Sequence, residues 1–175
     1  MKAWFTILRQ KPHAIMALGV CLLAACKGNE APNGPAAVAK TGTRLEILDA
    51  DSTGITFRNT IKEDDAANYF RYLYMYNGGG VAAGDVDGDG LPDLAFVSNR
   101  AGCALYKNQG GLKFKDVSAE AGFRLDSTWA TGVSMADVNA DGMLDIYVCA
   151  SGPAHWPKET RRNKLFINLG AGKFR

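Results

Sequence analysis

Residues 78–98, GGGVAAGDVDGDGLPDLAFVS, recur as residues 130–150, ATGVSMADVNADGMLDIYVCA, at an offset of 52 that pairs Asp85 with Asp137, Asp89 with Asp141 and Asp93 with Asp145. A chain that echoes itself at such a period folds as stacked copies of one small unit. That restricts the architecture more than any composition does. A second echo follows. Leu105-Tyr106-Lys107-Asn108, Gly110 and Lys113-Phe114 return as Leu165-Phe166-Ile167-Asn168, Gly170 and Lys173-Phe174, now at an offset of 60. The eight extra residues fall in 152–162, GPAHWPKETRR, and insertions of this kind sit in surface loops. A fainter third match is Ile55-Thr56-Phe57, which makes Phe57, Phe114 and Phe174 recur every 57–60 residues.

Each unit carries short strand-like runs. Val81-Ala82-Ala83 leads into an acidic segment and Leu94 to Val97 leads out; Cys103 to Lys107 and Lys113 to Val117 follow, around a turn at Asn108 to Gly111. The second unit repeats this with Ile146 to Cys149, Leu165 to Ile167 and a turn at Asn168 to Gly172. Asn and Gly supply the positive φ that tight hairpins need. After residue 44 no apolar stripe persists at helical spacing, and Val117 to Gly122 has room for one helical turn. The expected fold class is all-β, one small antiparallel sheet per unit, and such sheets stack radially as the blades of a β-propeller. Residues 44–175 hold about two blades, against the roughly four to eight that close a propeller, and the chain stops at Phe174-Arg175, inside the repeated motif. The expectation is an incomplete propeller and the N-terminal part of a longer protein.

The acidic segments have the chemistry of metal loops. Asp85-Val86-Asp87-Gly88-Asp89-Gly90-Leu91-Pro92-Asp93 places acids at positions 1, 3, 5 and 9, and Asp137, Asn139, Asp141 and Asp145 take the same places in the second loop, residues 137–145. Alternate residues of a tightly curled loop point inward. Gly at position 6 allows the turn that brings the position-7 carbonyl, of Leu91 or Met143, to face the centre. Every donor is an oxygen, which favours Ca²⁺ over softer ions, in two structural sites. Two carboxylates about 4 Å apart repel by roughly 1–4 kcal/mol, so a loop with four of them needs a cation to stay closed. Position 12 is Phe96 or Val148 rather than Glu, and the flanks read as strands, which excludes an EF-hand.

The opening residues read as an address. Lys2, Arg9, Lys11 and His13 precede an apolar run from Ala14 to Ala25 that is short for a transmembrane helix. It ends Leu23-Ala24-Ala25-Cys26, which resembles the bacterial lipobox. The resemblance implies a signal peptide at 1–25 and lipidation of Cys26. Residues 26–43, poor in large apolar groups and rich in Gly, Pro and Ala, read as a flexible tether, and 44–175 as the folded body. Cleavage takes three of the 20 basic residues and no acid, leaving 17 against 18. The remaining chain has no charge bias and no basic cluster for nucleic acid. Several acyl chains would hold it on a membrane.

The loop pattern, entered by a Gly-Val strand and left by an apolar one, resembles the FG-GAP/VCBS repeat. The resemblance implies a calcium-binding propeller blade with ligands at Asp85, Asp87, Asp89, the Leu91 carbonyl and Asp93, and at Asp137, Asn139, Asp141, the Met143 carbonyl and Asp145. Gly54-Ile55-Thr56-Phe57, Glu63-Asp64-Asp65, Asn68-Tyr69-Phe70, Tyr76 to Val81, Ser151-Gly152-Pro153 and Arg161-Arg162-Asn163 resemble the start of bacterial lipoproteins of the cartilage acidic protein (ASPIC/UnbV-type) family. That implies a place at the bacterial cell envelope, as an outer-membrane lipoprotein facing the periplasm or the surface. The function expected is a non-catalytic ligand-binding or interaction module, with a protein or glycan as partner. The alternative is the scaffold of a surface glycan-processing enzyme whose catalytic residues lie beyond residue 175.

Other candidates have weaker patterns. His155 and Trp156 in the insertion are candidate ligand contacts, since an exposed Trp beside polar groups stacks on sugar rings; packing on a blade edge is the other reading. Tyr69, Tyr72, Tyr74 and Tyr76 read as a strand-like segment that lines a packing layer or a ligand platform. Cys103 and Cys149 form either a disulfide or two free thiols in apolar strands. Ser98, Ser134 and Ser151 lack His and Asp partners in a recognisable order, so serine-hydrolase chemistry has no support.

Overall fold

The computed structural model describes residues 45–125 and 127–175. The expected signal peptide, the lipidation site Cys26 and the tether lie outside the described residues. Glu46–Arg175 forms one compact unit. Among the described residues no helix is long and apolar enough to cross a membrane.

The chain is mostly β, in two antiparallel sheets. The first sheet runs β1 (Gly80–Gly84), β2 (Asp93–Val97), β3 (Cys103–Asn108), β4 (Phe114–Asp116), in that order. The second runs β5 (Trp129–Ala136), β6 (Asp145–Ser151), β7 (Lys164–Phe166), followed by an isolated bridge between Asn168 and Phe174. The repeat is thus structural. β1 pairs with β2 across the first acidic loop, Gly84 opposite Asp93, as β5 pairs with β6 across the second, Ala136 opposite Asp145. In both units the next turn joins an Asn to a Phe: Asn108 is opposite Phe114, and Asn168 opposite Phe174. The positive φ falls on Gly110, Gly111 and Leu112 in one turn and Gly170, Ala171 and Gly172 in the other, not on the asparagines.

The core lies between the sheets. Alternation along β2 buries Ala95 and Val97, and along β6 it buries Ile146 and Val148; these meet Leu105, Phe123 and Phe174 in one cluster. A fully buried Leu, Ile or Phe contributes about 1.5–3 kcal/mol. The inner strands approach so closely that a Cβ on Gly80 would stand 2.9 Å from Gly132 Cα and from Val133 N. Two buried asparagines stitch the sheets. Asn99 donates from Nδ2 to Gly78 O (2.8 Å) and Ala130 O (3.2 Å), and Asn168 donates from Nδ2 to Val86 O (2.8 Å).

A strap with a short helix precedes each sheet: α1 (Ala50–Thr53), capped by Asp49, which accepts from Ser52 N, and α2 (Ser118–Ala121). Each ends on a left-handed glycine, Gly54 (φ 82°) or Gly122 (φ 76°). A Cβ there would meet Phe114 O at 2.4 Å or Phe174 O at 2.7 Å, so both straps cross the same place on their sheet. Phe57 then stacks on Phe96, with centroids 5.2 Å apart, and Phe123 meets Phe166 edge to face, 4.9 Å apart. This corrects the third sequence match: Gly54 to Phe57 is the counterpart of Gly122 to Leu125, not of the strand at Phe114. The tyrosine run is corrected too. Residues 68–77 form turns, with Arg71 and Tyr72 N–H donating to Asn68 O and Met75 N–H to Tyr72 O, so they are not a strand. Cys103 and Cys149 are not joined in a disulfide: Cys103 is half-buried and its thiol donates to Phe123 O at 3.4 Å, and Cys149 is exposed.

Candidate metal centre

Both acidic loops fold by the same rule: the position-1 carboxylate collects the N–H groups of the turn around it. Asp85 Oδ1 accepts from Gly88 N (2.7 Å) and Asp89 N (3.2 Å), and its Oδ2 from Gly90 N (2.7 Å). These backbone donors, Gly90 foremost, hold the Asp85 carboxyl below the usual range. Asp137 does the same with Asp141 N (3.1 Å) and Gly142 N (2.8 Å). The position-5 carboxylate then accepts from the position-7 amide, Asp89 from Leu91 N and Asp141 from Met143 N, both at 2.9 Å. Such curling needs left-handed backbone at two places. Gly88 and Gly90 supply it in the first loop (φ 81° and 85°), Ala140 and Gly142 in the second (φ 60° and 85°). The alanine is strained there, because its Cβ crowds the backbone.

The position-9 carboxylates are fully buried and tie each loop to its sheet. Asp93 accepts from Val86 N (3.1 Å) and Asn108 N (2.8 Å), and Asp145 from Val138 N (3.1 Å) and Asn168 N (2.8 Å). Burial pushes the Asp93 carboxyl above its ordinary value. Asn108 and Asn168 complete the joint. Each accepts from the N–H two residues on, Gly110 or Gly170, and donates to the carbonyl before the buried Asp, Pro92 or Leu144. Sequence reading gave these asparagines a turn-forming role and missed the clamp. Their recurrence at the same register in both units was the available signal.

Among the described residues one group of three acids can share an ion. Asp85, Asp87 and Asp89 each bring one carboxylate oxygen within 4.8 Å of the others. Asp93 stands outside this group. Each of its oxygens holds one backbone N–H and keeps a second lone pair. Two features bear on whether a cation fits. Asp87 Oδ1 is buried and has no hydrogen-bond partner among the described residues, which is costly for a carboxylate oxygen. And a cation of the protein already stands at the cluster. Lys107 Nζ donates to Asp87 Oδ2 and lies 3.2 Å from Asp89 Oδ2. Asp87 and Asp89 push the lysine up to about 12. Sequence reading did not place Lys107 here. In the second loop Asn139 Nδ2 donates to Asp141 Oδ2 (2.8 Å), spanning positions 3 and 5 without a lysine. The donor set, carboxylates and carbonyls only, suits a hard divalent ion.

The candidate contacts in the insertion lie at the opposite strand ends, beside the start of β5 and the end of β6. Trp156 packs edge to face on buried Trp129 at 5.5 Å, and Arg100 Cζ stands 6.0 Å from its ring centroid. Tyr72 joins from the other side, 5.4 Å from Trp129, with its hydroxyl 3.0 Å from Ser151 Oγ. His155 is exposed, and its Nε2 is 3.2 Å from Ala66 O. The structure thus brings His155 and Trp156 onto the turns of residues 58–79 and away from both acidic loops.

With this geometry in place, comparison with known proteins gives one result. An FG-GAP-like repeat is found at residues 85–148, which spans both acidic loops and the strap between the sheets. No curated protein matches the chain.

Proposed function

We propose that this chain is a calcium-stabilised interaction module of the β-propeller type, non-catalytic, and held at the bacterial envelope by an acylated Cys26. The observation that carries the reading is the buried, unpartnered Asp87 Oδ1 within a cluster of three carboxylates, at the head of a loop that recurs in register. In this reading Asp85, Asp87, Asp89, the Leu91 carbonyl and Asp93 hold one ion, and Asp137, Asn139, Asp141, the Met143 carbonyl and Asp145 a second. A bound calcium supplies positive charge that cancels repulsion among the carboxylates; the loops themselves position β2 and β6 against the strands before them. With about 1 mM calcium and an affinity near 0.1 mM, each site adds on the order of 1.4 kcal/mol. The FG-GAP-like repeat supports a β-propeller-type interaction module. Kinship to the ASPIC/UnbV-type lipoproteins rests on the sequence resemblance and the lipobox-like Leu23 to Cys26.

Isothermal titration of the chain with CaCl₂ tests the metal assignment. Binding at submillimolar to millimolar concentration is expected, with Asp89→Ala removing the first site and Asp141→Ala the second. No heat at several millimolar calcium, or binding unchanged in Asp89→Ala, refutes it. The anchor has its own test. The intact mass of chain extracted from bacterial membranes should show acyl groups on a sequence that starts at Cys26, and Cys26→Ala should release the chain from the membrane fraction.

A further inference from the structure

We propose that Asn77-Gly78 is a site of spontaneous deamidation, in which the Gly78 amide nitrogen attacks the Asn77 side chain and expels ammonia. Among the described residues this is the one Asn-Gly pair. The reaction asks for a side chain free to turn, a backbone N–H free to lose its proton, and room for a five-membered ring. Asn77 is exposed, and its side chain makes no hydrogen bond among the described residues. The Gly78 N–H likewise has no acceptor among them. At Gly78 φ is 84°, and a Cβ there would meet nothing within 4 Å, so no neighbour hinders the nitrogen. Both residues line an open pocket of about 400 Å³ with Tyr72, Tyr74, Thr131 and Ser151, through which water reaches the ring.

Three Asp-Gly pairs could close the same ring, and the fold restrains all of them. Gly88 N donates to Asp85 Oδ1 (2.7 Å), Gly90 N to Asp85 Oδ2 (2.7 Å) and Gly142 N to Asp137 Oδ2 (2.8 Å). An N–H held by a carboxylate keeps its proton, because the anion left behind would face a negative charge at hydrogen-bond distance. The position-1 carboxylate thus guards the loop it curls, and nothing of the kind guards Gly78. There the nitrogen gives its proton to solvent and bonds to Asn77 Cγ. The Cγ–Nδ2 bond breaks, Nδ2 takes a proton and leaves as ammonia, and a succinimide remains. Water then opens the ring. Attack at the side-chain carbonyl gives aspartate; attack at the main-chain carbonyl gives isoaspartate, with the backbone rerouted through Cβ and Cγ. Isoaspartate lengthens the main chain by one carbon just ahead of Gly78, whose carbonyl accepts from the buried Asn99 Nδ2 at 2.8 Å. The tie between the sheets at Asn99 therefore loosens as the chain ages. Neither calcium nor the anchor enters this chemistry.

Peptide mapping by mass spectrometry tests this on the full chain in a non-ionic detergent with calcium chelated. The chain is incubated warm at mildly alkaline pH, once folded and once in concentrated guanidinium chloride. Asn77 should convert to aspartate and isoaspartate at rates within tenfold of each other in the two states. Asp87, Asp89 and Asp141 should isomerise at least tenfold more slowly folded than unfolded. Asn77→Gln, which must close a six-membered ring, should stop conversion at that site. Folded chain aged to full conversion should melt about 3–6 °C below fresh chain, from the loss of one buried hydrogen bond, and Asn77→Gln aged alike should not. An Asn77 that converts more than tenfold slower in the folded chain overturns the site. Asp-Gly pairs that folding slows by less than tenfold overturn the guarding role of Asp85 and Asp137. A converted chain that melts with fresh chain overturns the loosening at Asn99.

Discussion

Replacing Asn168 and Asn108 by alanine, one at a time, separates what binds a loop to its own sheet from what binds sheet to sheet. Both amides accept an N–H from the turn and donate to the carbonyl preceding the buried Asp. Only Asn168 reaches the other sheet as well, through Val86 O at 2.8 Å. Asn108→Ala strands Pro92 O and Gly110 N; Asn168→Ala strands Leu144 O, Gly170 N and Val86 O. A lost hydrogen bond costs about 1 kcal/mol, and a buried group left without a partner about 1–3. Asn108→Ala should therefore cost about 2 kcal/mol and Asn168→Ala about 3–5. The difference, about 1–3 kcal/mol, reports the bond across the sheets. Urea unfolding followed by tryptophan fluorescence reads it, because Trp129 is buried between the second sheet and the turns at Ala67 and Met75. Chelated calcium keeps metal out of the measurement. Equal losses in the two variants would show that Val86 O gains nothing from Asn168, and the argument that this amide ties the sheets together would fail.

Three further outcomes follow from the same geometry. Ala140→Gly should stabilise the chain by about 0.5–1 kcal/mol in thermal melts, since it relieves left-handed strain at the place Gly88 holds in the other loop; a loss of stability would refute strain at residue 140. Gly80→Val should cost about 3 kcal/mol or more, because a Cβ there stands 2.9 Å from the Gly132 and Val133 backbone and the sheets must part to admit it; a melt within 1 °C of wild type would refute close contact of the inner strands. In calcium-free buffer, Lys107 is held at about 12, above its ordinary 10.5, so its contribution to stability is full below pH 10.5 and is lost as pH rises through 12; the stability gap between wild type and Lys107→Met should close over that window, and a gap that widens would refute the pairing with Asp87 and Asp89.

The repeat made most of the strands legible. Short β-branched and aromatic runs between Asp-Gly and Asn-Gly turns named β1 to β4, β6 and β7 to within about two residues, because in a chain this rich in turns such runs have nowhere else to go. Straps and turns were less legible. Gly54 and Gly122 mark equivalent points in the structure, yet the repeat aligned Phe57 with Phe114, since a shared aromatic spacing carries no information about backbone handedness. The tyrosines at 69, 72, 74 and 76 suggested a strand by their spacing. Asn68 overrides it: its carbonyl accepts from Arg71 and Tyr72 N–H and its side chain from Arg71 N–H, which curls the segment locally. At the acidic loops the donors were visible, but the division of labour was not. Burial decides that Asp93 and Asp145 fasten the loop to its sheet while Asp85, Asp87 and Asp89 gather, and burial is a property of the packed sheets.

The two loops reach one electrostatic condition by different residues. The first has acids at 85, 87, 89 and 93 and the ammonium of Lys107; the second has acids at 137, 141 and 145, with Asn139 in place of Asp87 and Ile167 in place of Lys107. The exchange removes one negative and one positive charge together, so each site has the same formal balance. It also conserves a bond. Lys107 spans Asp87 and Asp89 in the first loop, and the Asn139 amide reaches Asp141 in the second. Positions 3 and 5 are therefore bridged in both loops without any metal, which answers the repulsion argument that a bare loop of carboxylates must open. A divalent cation entering the second loop has a neutral amide to turn aside. One entering the first must displace an ammonium already paired with two carboxylates. Calcium affinity should accordingly be higher in the second loop than its smaller number of acids suggests, and Lys107→Met should raise that of the first; two sites that titrate alike in wild type and variant would refute a competing role for the lysine.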